Sequence, residues 1–260
     1  MAEFRSYRSY QRFAELIATQ RRFTRNEEQA EFLGVVLATS AKRQEVIPAG
    51  SHLWRAQLGQ SWITVGHGDD ASDEQPAPLE PERMKPLVDR AREGRANPKG
   101  IPYLYTATQE QTAVAEVRPW IGSVVSVGAF ELTRDLRVVN AVSDDRRIMV
   151  YSAEPSPEER ERRVWRDIDR AFTRPVTSGD DTADYVPTQV LAEFFRESGL
   201  DGVAYGSSLG PGHNVVVFDP TAAELVRCDL VEISGVKLDV SMAANPYFMP
   251  PASRGPVGGT

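Results

Sequence analysis

The chain is poor in the residues that build disulfides and metal sites. Its 260 residues include one cysteine, Cys228, and three histidines, His52, His67 and His213. A lone thiol excludes a disulfide framework within the chain and fits a reducing compartment. Scattered histidines with one thiol give no ligand cluster at zinc-like spacing, so no metal is expected. No apolar run reaches the length of a bilayer span, and the N-terminal stretch MAEFRSYRSYQRF lacks the apolar centre of a signal peptide. These absences point to a cytoplasmic protein with no membrane partner. A basic excess is missing too. Thirty Lys and Arg stand against thirty-seven Asp and Glu, a net charge of −7, which argues against a nucleic acid partner. A small anion met by a few local arginines stays open.

What is present is enough apolar material, 41% of the residues, for one large domain. Phe13, Leu16 and Ile17 sit at helical spacing, and Phe32, Leu33, Val36 and Leu37 form a second stripe, so residues 10–40 read as two amphipathic helices. Residues 1–46 are therefore expected to be an N-terminal helical extension packed on the main domain, with dimerisation or partner contact as its alternative role. The main domain is expected over residues 47–240 and a flexible tail, rich in Pro and Gly, over 241–260. "HLWRAQL" and "SWITV" read as strands. Residues 66–81, rich in Gly, Pro and acids, read as a mobile insert.

Further on, "YLYTA" is strand-like, and Thr108 with Gln111 three residues later has the form of a capping box opening a helix that ends near Pro119. "SVVSVGAFEL", "LRVVN", "GVAY", "NVVVF" and "AELVRCDLVEI" add strands. Two more helices carry Val164, Ile168 and Phe172, and Val190, Leu191, Phe194 and Phe195, the second closed by Gly199. Short strands interrupted by helices without regular alternation favour an α+β fold over a doubly wound one.

Two stretches carry chemistry. In "GRANPKGIPYLYTATQEQTAVAEVRPW" a turn leads into a strand and then into a helix bearing Glu116. Its plain reading is a solvated turn, with Gly94 and Gly100 in unusual backbone angles and Glu116 on an exposed helix face. Yet Ala113, Val114 and Val117 define the apolar face of that helix. Glu116 falls at its border, where a carboxylate can look into a cleft beside the strand. The second stretch, "YGSSLGPGHN", lies between two strands and offers hydroxyls and an amide suited to a small ligand; a hairpin loop is the alternative.

Together "LWRAQ", the turn–strand–helix segment and "GLDGVAYGSSLGPGHNVVVFD" resemble the RES domain, found in toxins of RES–Xre toxin–antitoxin systems, over roughly residues 47–220. The resemblance implies an α+β fold like that of ADP-ribosyltransferases, with a mixed or antiparallel sheet and flanking helices. It implies an enzyme that consumes NAD as substrate rather than cofactor, cutting the nicotinamide–ribose bond by hydrolysis or phosphorolysis. ADP-ribosylation of a macromolecule is the alternative. A separately encoded antitoxin follows as a partner, with phosphate as a second substrate and a homodimer as further expectations. By this resemblance Arg55, Glu116 and Ser207 are catalytic, while Arg95, Tyr105 and Asn214 bind NAD; Ser208 is a second candidate for the serine. Ala96 stands where many members have an aromatic residue. Gly206, Ser208 and Leu209 replace the commoner Pro, Ala and Arg.

The chemistry of the residue types agrees. Cleaving an N-glycosidic bond develops positive charge on the ribose, which a carboxylate such as Glu116 stabilises. A planar guanidinium holds a pyrophosphate through paired hydrogen bonds, suiting Arg55 and Arg95. A serine hydroxyl and an asparagine amide match the carboxamide of nicotinamide, and Tyr105 offers a ring face. The G-x-G-x-x-G turn of hydride-transfer enzymes is absent.

Overall fold

The computed structural model describes residues 2–20, 24–65, 73–87, 90–143, 151–174, 182–237 and 240. Ten strands are seen among them: β1 (Gln44–Ile47), β2 (His52–Leu58), β3 (Ser61–Val65), β4 (Asp73–Ala77), β5 (Leu104–Ala107), β6 (Val124–Leu132), β7 (Leu136–Asn140), β8 (Gly202–Gly206), β9 (His213–Val217) and β10 (Ala223–Glu232). The helices are α1 (Ser9–Thr19), α2 (Glu27–Ser40), α3 (Pro81–Met84), α4 (Glu110–Glu116), α5 (Pro157–Thr173) and α6 (Val186–Glu197). Eight strands form one sheet in the order β1-β7-β8-β9-β5-β2-β6-β10, and β3 with β4 makes a separate hairpin. Within the large sheet β7 and β8 run parallel, and the other pairs described are antiparallel. The fold is α+β, a mixed and mostly antiparallel sheet with flanking helices. None of the helices described is long and apolar enough to cross a membrane.

Alternation along the strands divides the core. Val139, Val203, Tyr205 and Val216 face a layer built from α1, α2, α5 and α6, where Phe13, Ile17, Trp165, Phe172, Leu191 and Phe195 are buried. Val138, Ala204, Val215 and Val217 face the opposite side, packing with Phe130, Leu132 and Met84. The period of two is what a sheet buried on both faces requires. Helix α5 is fixed at its start by the Ser156 hydroxyl, which accepts from the Glu159 N–H at 3.3 Å. Helix α2 begins with a capping box between Asn26 and Gln29. Gly199 ends α6 with a φ of 79°.

Four expectations change. Thr108 does not cap α4, whose N-cap residue is Gln109 without a side-chain bond. The Thr108 hydroxyl is instead engaged with the His213 backbone, accepting from its N–H and donating to its carbonyl, each at 3.2 Å. Helix α4 also stops earlier than Pro119, because Arg118 takes a φ of 49°, which leaves the right-handed helical region. The polar stretch Asp73–Ala77, read as part of a mobile insert, pairs with β3 in register from Ser61↔Ala77 to Val65↔Asp73. Finally, Gln44–Ile47 forms an edge strand on β7. Residues 66–72 and the tail from 241 lie outside the described residues.

One irregularity positions the site. Along most of the sheet each strand meets its neighbour over several residues, but β2 and β5 share the single register pair Trp54↔Ala107. The two halves of the sheet therefore splay apart beyond that point. Helix α4 packs across the opening, with Ala113 buried against Ala56, Ala107 and Val127.

Candidate active site

The turn that opens the chemical segment is held by its own side chains. Asn97, almost fully buried, donates from Nδ2 to the carbonyls of Arg92 at 2.9 Å and Ile101 at 2.8 Å. Its Oδ1 accepts from the Tyr105 hydroxyl at 2.6 Å, and that hydroxyl accepts from the Ala96 N–H at 2.9 Å. Gln189 of α6 donates to the Gly94 and Asn97 carbonyls at 2.9 and 3.1 Å. Gly100 has the positive φ expected, 91°, whereas Gly94 is needed for closeness. A Cβ there would lie 2.5 Å from the Tyr105 hydroxyl. The polar end of Tyr105 is thus committed to the turn, and burial raises its pKa above the ordinary value. Its ring remains a wall of the cavity below.

Three predicted residues converge. Glu116, the last residue of α4, accepts on Oε1 from the Ser207 hydroxyl at 2.8 Å and from Asn214 Nδ2 at 2.7 Å. No protein hydrogen bond to Glu116 Oε2 is seen among the described residues, so one carboxylate oxygen is fixed and the other uncommitted. Ser207 is buried, and its Oγ also accepts from the N–H groups of Leu209 at 3.1 Å and Gly210 at 3.3 Å. Ser208 beside it is exposed and makes no polar side-chain contact among the described residues. Asn214 is held in register, opposite Ala107 on β5 and Tyr205 on β8.

The loop bearing Ser207 is anchored from beneath by α5. Asp169 Oδ1 accepts from the Gly206 N–H at 2.7 Å, and Thr173 donates to the Gly206 carbonyl at 2.9 Å. Burial raises the Asp169 pKa, while the N–H groups of Gly206 and Ser143 and the Thr173 hydroxyl pull it back. On the other side, the Thr112 hydroxyl of α4 donates to the Pro211 carbonyl.

Between these elements, where β2 and β5 splay, lies a cavity of about 300 Å³ lined by Trp54, Arg55, Tyr105, Glu116, Tyr205 and Asn214 among others. Arg55 Nη1 donates to the Tyr105 carbonyl at 3.0 Å, across the splay. Its Nε is buried with no protein partner among the described residues. Burial lowers the Arg55 pKa, yet a guanidinium keeps its charge in proteins. The cavity combines one cation, one anion and three aromatic rings. Such a set can hold a charged, ring-bearing ligand beside a carboxylate.

Arg95 is not part of this cavity. It lines a neighbouring one of about 320 Å³, donates from Nη1 to the Ala171 carbonyl at 3.0 Å, and lies 5.3 Å from the centre of the Tyr185 ring. Trp54 and Tyr205 line the first cavity without having been singled out from the sequence. Tyr205 is the tyrosine directly before "GSS", and Trp54 sits within "LWRAQ", so both signals lay inside segments that carry the family resemblance. Asn97 was visible only as a turn former. No group of three or more His, Cys, Asp and Glu able to hold a metal occurs among the described residues.

No curated protein matches this sequence. Among solved structures, the crystal structure of the M. tuberculosis MbcT–MbcA toxin–antitoxin complex contains a chain with 15% identity and a TM-score of 0.39, the match covering 76% of this chain and 92% of that one. A likeness of that extent leaves the assignment to the sequence. The family model described as the RES domain matches residues 52–235, more than half of the chain, and spans the splay between β2 and β5, α4 and the serine loop; the chain belongs to the RES domain family.

Proposed function

We propose that this protein cleaves the nicotinamide–ribose bond of NAD, with water or phosphate as acceptor, and acts as a toxin or defence effector. The observation that carries this reading is Glu116, held on one oxygen by Ser207 and Asn214 in a cavity it shares with Arg55 and aromatic rings. As the glycosidic bond breaks, the electron pair leaves with nicotinamide and positive charge develops on the ribose. The Glu116 carboxylate stabilises that charge, and its uncommitted oxygen has lone pairs for a ribose hydroxyl. Ser207 and Asn214 keep the carboxylate in place, so little reorganisation is needed as charge develops. Arg55 supplies the charge opposite a phosphate, and the aromatic faces take the nicotinamide ring. NAD is substrate here, and the mechanism calls on no metal or resident cofactor.

The test is incubation with NAD labelled in its ADP-ribose part. Soluble ADP-ribose or its phosphate supports the reading. Label fixed to a macromolecule supports the mono-ADP-ribosyltransferase alternative, and intact NAD after prolonged incubation sinks both. Expression of the wild-type chain alone should slow growth and lower cellular NAD. A separately encoded antitoxin covering the cleft is the partner we expect. Support comes from Trp120 and Ile121, strongly exposed at 84% and 67%, just past the cavity-lining Val117. The charge and ring content that suit NAD do not call for a second copy of the chain.

A further inference from the structure

The separation of Arg95 from Glu116 raises the question of what its own cavity holds. That space, about 320 Å³, lies between α1, the end of α5 and the start of α6. Two guanidinium groups line it, Arg95 and Arg174. Arg95 spends one N–H on the Ala171 carbonyl and stacks near Tyr185. Among the described residues neither arginine is paired with a carboxylate, although the chain as a whole is acidic at −7. The forked donors of the two guanidinium groups match phosphate, and they share the lining with the carboxylates of Glu15 and Asp184, neither of which is within ion-pair distance of them among the described residues.

Helix α1 supplies the outer wall. Phe13, Leu16 and Ile17 bury one side of the helix in the core, while Tyr10, Ala14 and Ala18, spaced by four, line the cavity. Two alanines there leave room, and Tyr10 with Tyr185 gives aromatic surface at both sides. Glu15 and Asp184, also on the lining, are acceptors for sugar hydroxyls. Phosphate-binding cations, ring faces and hydroxyl acceptors together describe a nucleoside phosphate. The turn residue Ala96 links the two cavities. It follows Arg95 in the chain, and its N–H donates to the hydroxyl of Tyr105, whose ring lines the Glu116 cavity.

We infer that this second cavity takes the adenylate half of the dinucleotide, with Arg95 and Arg174 on phosphate and α1, which precedes the matched family segment, as its wall. The inference rests on the NAD reading. It gives the N-terminal extension a role in substrate selection: a compound lacking the adenylate half loses these contacts.

The experiment uses the full chain and three forms: wild type, Arg174→Ala and Ala18→Trp. The second variant fills the cavity from an exposed position on α1. AMP is titrated into each by calorimetry, and nicotinamide release is measured with NAD and with nicotinamide mononucleotide. Expected are AMP binding by the wild type, at least tenfold weaker binding by both variants, and at least a tenfold fall in the ratio of kcat/KM for NAD to that for the mononucleotide. AMP binding that is absent from the wild type, or equal in all three forms, overturns the inference. So does weakened AMP binding with an unchanged ratio, which identifies a separate effector site. A wild type that releases nicotinamide from neither compound overturns the cleavage reading instead. The AMP titration then decides the cavity alone: loss in the variants upholds a nucleotide-phosphate site, equal binding sinks it.

Discussion

Asn214 Nδ2 lies 2.7 Å from Glu116 Oε1, joining a strand residue to a helix terminus 98 positions earlier in the chain. With the Ser207 hydroxyl on the same oxygen, it fixes where the carboxylate charge sits. Glu116→Gln keeps an oxygen able to accept both bonds and deletes the charge. Nicotinamide release at saturating NAD should fall at least a hundredfold, about the cost of losing one strong electrostatic contact in a preorganised site. NAD binding and thermal unfolding should stay near wild type. Release near the wild-type rate would place Glu116 outside the chemistry.

The two serines separate cleanly. Ser207→Ala removes a donor to Glu116 and an acceptor for two backbone N–H groups, and should lower kcat at least tenfold. Ser208→Ala touches nothing in the described structure and should leave kcat and KM within twofold. Equal losses in both would show that the loop acts through its backbone.

Arg55→Ala should weaken NAD binding at least tenfold, the equivalent of about 1.5–3 kcal/mol for a charged hydrogen bond. Arg95→Lys should not restore what Arg95→Ala loses, because the planar fork is gone. Calorimetry on folded protein decides each case. An Arg55→Ala protein with wild-type affinity removes that residue from the site.

Tyr105→Phe tests whether the hydroxyl serves the turn. It leaves Asn97 Oδ1 and the Ala96 N–H without their partner, so stability in denaturant should drop by about 1–3 kcal/mol. The retained ring should keep KM for NAD within threefold. A large KM effect with no loss of stability would reverse that assignment.

Burial raises the Asp169 pKa above its ordinary 3.8. A carboxyl with a raised folded pKa favours the folded state below the ordinary value, and that contribution is lost as pH rises through the folded value. Asp169→Asn removes this titration. The stability of wild type relative to the variant should therefore decline as pH rises above the ordinary 3.8, read as the gap in Tm measured at increasing pH. A constant gap would show that Asp169 does not titrate there.

Local patterning decided much of the fold. "HLWRAQL" and "SWITV" form strands with the ends read from their composition, and the apolar stripes of α1, α2, α5 and α6 are buried as their spacing requires, except that Leu37 and Phe194 are half-buried. These segments carry their own signal, since alternation or a 3.6-residue stripe is a property of neighbours in sequence. Asp73–Ala77 has no such signal. Its polar residues become a strand only because β3 is there to pair with. Thr108 has the sequence of a helix cap and is drawn away by the His213 backbone, a partner 105 positions distant.

The site divides in the same way. The likeness of three segments to the RES domain was enough to name Arg55, Arg95, Tyr105, Glu116, Ser207 and Asn214 as candidates, and their residue types suit the chemistry. Tertiary structure alone decided that Glu116 meets Ser207 rather than Ser208, that the splay between β2 and β5 opens the cavity, and that Arg95 belongs to a second cavity walled by α1. The reason is physical. Chemical potential resides in side-chain type, which the sequence states, whereas distance between side chains depends on strand register and helix packing across the whole chain, which no single segment contains.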